Sequence, residues 1–268
     1  MIAAHHIEHY YRSMSRPLKR QVQLELPKLH RKPDKHRQFR GGSHKRTGRP
    51  KRGARASERH KVRPTLRHDH PVHVIMRASA DLGSLRTHAV FEAIREAVHV
   101  AFRLEDSFHI VHYSIQRTHI HMIVEAKNRL ALGKGMQVFG ISAAKHINAT
   151  IRSHTGERRR GTVFADRYHA VVLTSPRQVR NTLNYVLNNW RHHREDRQRL
   201  RRPWKIDPYS TALAFDGWKE RDDAGTRFRV PIGYEGPMMW LPKSWLLSRG
   251  WRRHGLISIY EVPGGGSE

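Results

Sequence analysis

Apolar positions keep no lasting period through about residue 67, then fall into runs that switch between strand and helix spacing. Val72-His-Val-Ile-Met76 reads as a buried strand. Thr87 can cap a helix from His88 to about Phe102, whose Val90, Phe91, Ile94, Ala97, Val98 and Ala101 make one apolar face. Phe108 to Gln116 alternates as a second strand, and a tight turn at Arg117-Thr118 leads into a third that starts at His119. From Arg129 to about Thr155, Leu132, Met136, Phe139, Ala143, Ile147 and Ile151 recur at core-facing helical steps. Tyr168 to Leu173 makes a fourth strand. A last helix follows, with Ser175 at its N-cap, Pro176 at its first position and Gln178 completing a capping-box pattern. Strand, helix, two strands, helix, strand, helix is the order of a ferredoxin-like α+β antiparallel sheet with helices packed on it.

Two of these elements carry candidate chemistry. In the third strand, Arg117-Thr-His-Ile-His-Met-Ile-Val-Glu125, side chains alternate between faces. His119 and His121 therefore share one side, with Ile120, Met122 and Val124 on the other. Imidazole is the commonest metal ligand among side chains. A chain with 22 histidines also places such pairs by coincidence, so the strand by itself leaves metal binding and a plain polar face both open. On the last helix, Gln178, Asn181, Thr182, Tyr185, Asn188 and Asn189 form a polar stripe centred on Tyr185, opposite Val179, Leu183, Val186 and Trp190. A solvated stripe is usually charged; this one is a phenol among amides. Tyr185 and Asn189, four residues apart, are surface neighbours.

Taken together, His119 and His121, then Gly161-Thr-Val-Phe-Ala-Asp-Arg-Tyr168, then Tyr185-Val-Leu-Asn-Asn189, resemble the single-tyrosine HUH (IS200-like) transposases. Within that superfamily they look most like the REP-associated tyrosine transposases. The proline that usually follows the family's asparagine is Trp190 here. The resemblance implies the ferredoxin-like HUH fold, Tyr185 as nucleophile, and His119, His121 and Asn189 as ligands of Mg2+ or Mn2+. It also implies single-stranded DNA hairpins, formed by palindromic repeats, as the substrate. Tyr185 would take the 5′-phosphate as a phosphotyrosine and free a 3′-hydroxyl, which can later reverse the step. A phenol ordinarily ionises near pH ~10, so a cation must favour its phenolate. The superfamily also leaves monomer and homodimer open, with the tyrosine acting in cis or in trans.

Composition sharpens the partner. Lys and Arg outnumber Asp and Glu by 51 to 23, a formal charge of +28 with pI near 11.3. Such a surplus attracts polyanions, nucleic acid first. Residues 1–67 hold 20 basic against 4 acidic side chains and too little apolar surface to order themselves. They read as a disordered DNA-binding arm whose Gly48-Arg-Pro-Lys-Arg52 core, with Arg49, Lys51 and Arg52, is similar to an AT-hook. Residues 68–195 read as the catalytic domain. Arg158, Arg159 and Arg160 in one loop, with Arg167, are candidate phosphate contacts. Residues 196–268 form a basic, aromatic extension that resembles the tail of a proteobacterial subgroup of the family. Its tryptophans could stack on bases, but packing against the domain is the favoured reading.

Cysteine is absent, which excludes disulfides and thiolate metal sites. No apolar run is long enough for a membrane span or a signal core, so a cytoplasmic location is expected. Two other functions compete with strand transfer. One is a catalytically inactive nucleic-acid-binding protein; the other is a metal-dependent hydrolytic nuclease with water as the nucleophile.

Overall fold

The structure, a computed structural model, describes residues 65–104, 107–197, 205–221 and 234–264. The arm and its Arg49, Lys51 and Arg52 lie outside the described residues. Strands β1 (Val72–Arg77), β2 (Phe108–Ile115), β3 (His119–Ala126) and β4 (His169–Val172) form one antiparallel sheet in the order β2-β3-β1-β4. Helices α1 (His88–Ala101), α2 (Arg129–Thr155) and α3 (Pro176–His192) interleave with them in the anticipated ferredoxin-like order. A short α4 (Trp245–Ser248) follows.

Local chemistry fixes the ends of these elements. Thr87 accepts from the Val90 N–H, Asn128 from Ala131 and Ser175 from Gln178, each satisfying a helix donor that has no intrahelical partner. Gln178 does not close a capping box on Ser175; its Oε1 accepts from the N–H and hydroxyl of Thr174, one residue earlier. Helix α2 ends at Gly156, whose φ of 74° is the left-handed conformation that most side chains resist.

The sheet separates two cores. On one side Val72, Val74, Ile120, Met122 and Val124 meet α1 and α2, and Gly135 of α2 lets the Phe108 ring approach its backbone. On the other side α3 brings Val179, Leu183, Val186 and Leu187 against Val111 and Ile123. A register shift between Ile110 and His112 explains why β2 serves both. Phe108 and Ile110 face the first core, and after this irregularity Tyr113 and Ile115 return to it.

The C-terminal segment completes the second core with Phe215, Trp218, Trp251, Ile257 and Ile259. It also covers the outer edge of β2, where the N–H of Ile115 donates to the Tyr209 carbonyl and that of Trp240 to the Ile110 carbonyl. All eight residues of β2 are buried in consequence. Trp218 and Trp251 pack as core, whereas Trp245 stays 47% exposed. Among the described residues no helix is long and apolar enough to cross a membrane.

Candidate active site beneath the tyrosine helix

Strand β3 sends Ile120 and Met122 into the first core, and the strand's alternation turns His119 and His121 to the opposite face. There the two Nε2 atoms stand 2.8 Å apart. Helix α3 also packs on this face, and the ring of Tyr185 meets that of His121 edge-on with centroids 5.0 Å apart. The phenol and the imidazole pair therefore share one site.

Tyr185, Asn189 and His193 succeed one another at four-residue steps, which sets them along one stripe of α3 and its cap. Tyr185 lies against His121, and His193 lies 6.2 Å from His119 between ring centroids. Asn189 falls between these two contacts. Its side chain is wholly buried, and neither Oδ1 nor Nδ2 has a hydrogen-bond partner among the described residues. Leaving such an amide unpaired in a dry interior costs about 1–3 kcal/mol per group.

Burial also determines the charge of the rings. It holds His119 down to about 4, helped by His193 and Arg77, and His73 of β1 to about 4 as well, helped by His169. His121 is held lower still, again mainly by burial and then by the rings around it. His193 is also lowered, by burial first and then by His192. At neutral pH the cluster is thus uncharged and offers lone pairs.

Among the described residues no group of three His, Cys, Asp or Glu side chains is placed to hold a metal ion. A cation here would draw on two imidazoles and the Asn189 amide, and these residues fit it. The 2.8 Å between the Nε2 atoms is close to the ~3 Å spanned by adjacent donors of one octahedral ion. The unpartnered amide oxygen would be the third neutral donor.

Beside Tyr185 opens a cavity of about 570 Å³, lined by His73, Asn181 and Thr182 on one side and by tail residues 261–264 on the other. The tail is fastened to α3. The Glu261 carboxylate accepts from Asn184 at 2.8 Å and pairs with Arg180, whose Nη2 lies 2.8 Å away. This guanidinium holds the Glu261 carboxyl below its ordinary range against the effect of burial. Asn188 donates to Asn184 and to the Ser258 carbonyl, both at 2.9 Å.

The candidate phosphate contacts divide. Arg159 pairs with Asp81 at 2.5 Å and donates to the Thr162 carbonyl at 2.8 Å, contacts that hold the loop. Arg158, Arg160 and Arg167 are exposed. Two residues of the cluster went unremarked in the sequence, His73 and His193. The only signal for His73 was a polar ring alternating with Val72 and Val74 on a buried strand; for His193 it was the four-residue step from Asn189.

A family model described as "Transposase IS200 like" matches residues 67–189, which include every element of this site but His193 and the tail. None of the curated proteins matches the chain. Among solved structures it is similar to a REP-associated tyrosine transposase bound to a REP hairpin, at 15% identity and TM-score 0.40 over 57% of this chain and 82% of that one. It is also similar to a candidate transposase from Deinococcus radiodurans, at 11% identity and TM-score 0.32 over 54% of this chain and 98% of that one. Overlaps this loose carry no further argument.

Proposed function

Through residues 67–189 the chain belongs to the IS200-like transposase family, and on that premise we propose that it cleaves and rejoins single-stranded DNA through Tyr185. The observation that carries this reading is the meeting of a phenol with two neutral imidazoles on one face of the sheet, four residues before a buried, unpartnered amide on the same helix.

In the proposed reaction the phenol of Tyr185 gives up its proton and its oxygen attacks phosphorus. The bond to the 3′-oxygen breaks, that oxygen takes up a proton, and the 5′-phosphate stays on the tyrosine. A 3′-hydroxyl of the same or another strand can reverse the step, because the phosphodiester energy is kept in the covalent link. His119, His121 and Asn189 would hold the divalent ion. When bound, that ion polarises a phosphate oxygen and steadies the charge that builds during displacement. Imidazole donors favour Mn2+ over the oxygen-seeking Mg2+. The cavity between α3 and the tail leaves room for a nucleotide next to the scissile phosphate.

Hairpins formed by palindromic repeats are the proposed substrate, on the resemblance of the three motifs to the REP-associated branch. The chain's surplus of positive charge supplies sequence-independent attraction to the backbone. The test is incubation of the full chain with Mn2+ and an end-labelled hairpin oligonucleotide, resolved on a denaturing gel. The expected product is DNA covalently attached to protein, absent from Tyr185→Phe. Free 5′-phosphate product without the adduct would make water the nucleophile, and salt-sensitive binding with neither product would leave only a DNA-binding protein.

A further inference from the structure

Each candidate imidazole turns its second ring nitrogen onto a group able to accept a hydrogen bond. Nδ1 of His121 lies 3.2 Å from Nε2 of His73, and Nδ1 of His119 lies 3.1 Å from the hydroxyl of Thr118. A neutral imidazole carries its proton on one nitrogen and its free lone pair on the other. For both Nε2 atoms to present lone pairs, both Nδ1 atoms must carry protons. A buried Nδ1–H needs an acceptor within reach.

From this geometry we propose that His73 and Thr118 are positioning residues, holding His121 and His119 as Nδ1–H tautomers whose Nε2 lone pairs converge on one point. The inference rests on the metal-assisted reading above. Two lone pairs facing each other at 2.8 Å repel unless a proton or a cation lies between them, so this tautomer pair is set in advance for a cation.

The two supports differ in kind. His73 is opposite Ile123 in the β1–β3 register, which makes His121 its diagonal neighbour on the same face. Their rings stack with centroids 5.3 Å apart and planes 25° from parallel, so two paired strands fix the contact. Thr118 sits in the exposed turn before β3, where water can take over its role. His73 therefore carries the larger share. To accept at Nε2, His73 must carry its own proton on Nδ1.

The experiment titrates the full chain with Mn2+ by calorimetry, without DNA, and compares His73→Phe with His73→Gln. Phe keeps a flat ring and removes the acceptor; Gln can restore an acceptor oxygen near the place of Nε2. Loss of an outer partner of a metal-bound histidine weakens binding about 10- to 100-fold, and that is the loss expected for His73→Phe. His73→Gln should bind close to the wild type, and Thr118→Val should fall between. A second readout is the His121 Nδ1–H proton resonance in Zn2+-loaded protein. It should be protected from exchange in the wild type and in His73→Gln, and lost in His73→Phe.

The proposal is overturned if His73→Phe binds Mn2+ like the wild type while His121→Ala does not bind it. It is equally overturned if the Nδ1–H resonance of the wild type exchanges freely. Failure of the functional reading looks different: the wild type would take up no Mn2+, or His119→Ala and His121→Ala would leave uptake unchanged.

Discussion

The two faces of the sheet are filled by different rules. Against α1 and α2 the contact is hydrocarbon on hydrocarbon, tight enough that a Cβ on Gly135 would come within 2.1 Å of the Phe108 ring. Against α3, aliphatic residues share the layer with imidazoles and amides. Neighbouring residues of that helix show how selectively it is done. Asn188 is 1% exposed and donates to Asn184 and Ser258; Asn189 is 0% exposed and makes no side-chain bond among the described residues. A fold that satisfies one amide and strands the next, at equal depth, has left donor and acceptor capacity for something outside the chain. The first face tells how the domain holds together, and the second where the proposed chemistry would lie.

The largest effect that would test this contrast is chemical. Tyr185→Phe should eliminate the covalent DNA adduct while filter binding to the hairpin persists; an adduct formed by the Phe variant would move the nucleophile elsewhere. Acid comes next. His73 and His119 titrate at about 4 and His112 at about 3 in the folded chain, each lowered from an ordinary 6.5 chiefly by burial. The unfolded chain therefore binds protons first. The stability these neutral rings contribute is intact above pH ~6.5 and drains away as pH falls toward ~4, by about 1.4 kcal/mol per pH unit for a buried ring such as His112. Urea unfolding from pH 7 to pH 4.5 reads it, and His112→Leu should flatten the slope. All of these rings lie on the α3 side, so a variant of the first core should leave the slope unchanged.

The amide pair gives a smaller and more pointed comparison. Asn188→Ala should lower unfolding free energy by about 1–3 kcal/mol, since it strips bonds from buried partners. Asn189→Ala has no bonds to strip, so it should cost less in urea while abolishing Mn2+ uptake. Equal losses of stability would break the distinction between them. A pair of glycines on α2 tests the first face. Gly135→Ala should destabilise by about 1–3 kcal/mol through collision with Phe108. Gly133→Ala meets nothing within 4 Å and should raise stability by up to about 1 kcal/mol.

Local features of the fold were readable because local chemistry sets them. Thr87 and Ser175 announce their helices by capping, Arg117-Thr118 is short enough to force a hairpin, and the apolar steps from Leu132 to Ile147 need a core on one side. The meeting of His121 with Tyr185 was suggested by motif spacing, but the distance depends on how α3 lies across the sheet. His73 stayed hidden for a related reason: only the β1–β3 register reveals that it stands diagonal to His121. The single polar stripe read along α3 proves to be divided, because Asn188 is roofed by the tail and hydrogen-bonded to it, together with Asn184, which the stripe did not include. A segment some 70 residues further along the chain decides which amides are wet, and no window of helical periodicity contains that information.

That roof has a mechanical consequence. To carry its phenol to another site, α3 would have to surrender the Arg180–Glu261 ion pair, the Asn188 bond to the Ser258 carbonyl and the His192 bond to the Pro263 carbonyl together. Threading a nucleic acid past a stationary hydroxyl breaks none of these tethers. Under the proposed reaction, the economical course is for the machinery to keep still and the DNA to do the travelling.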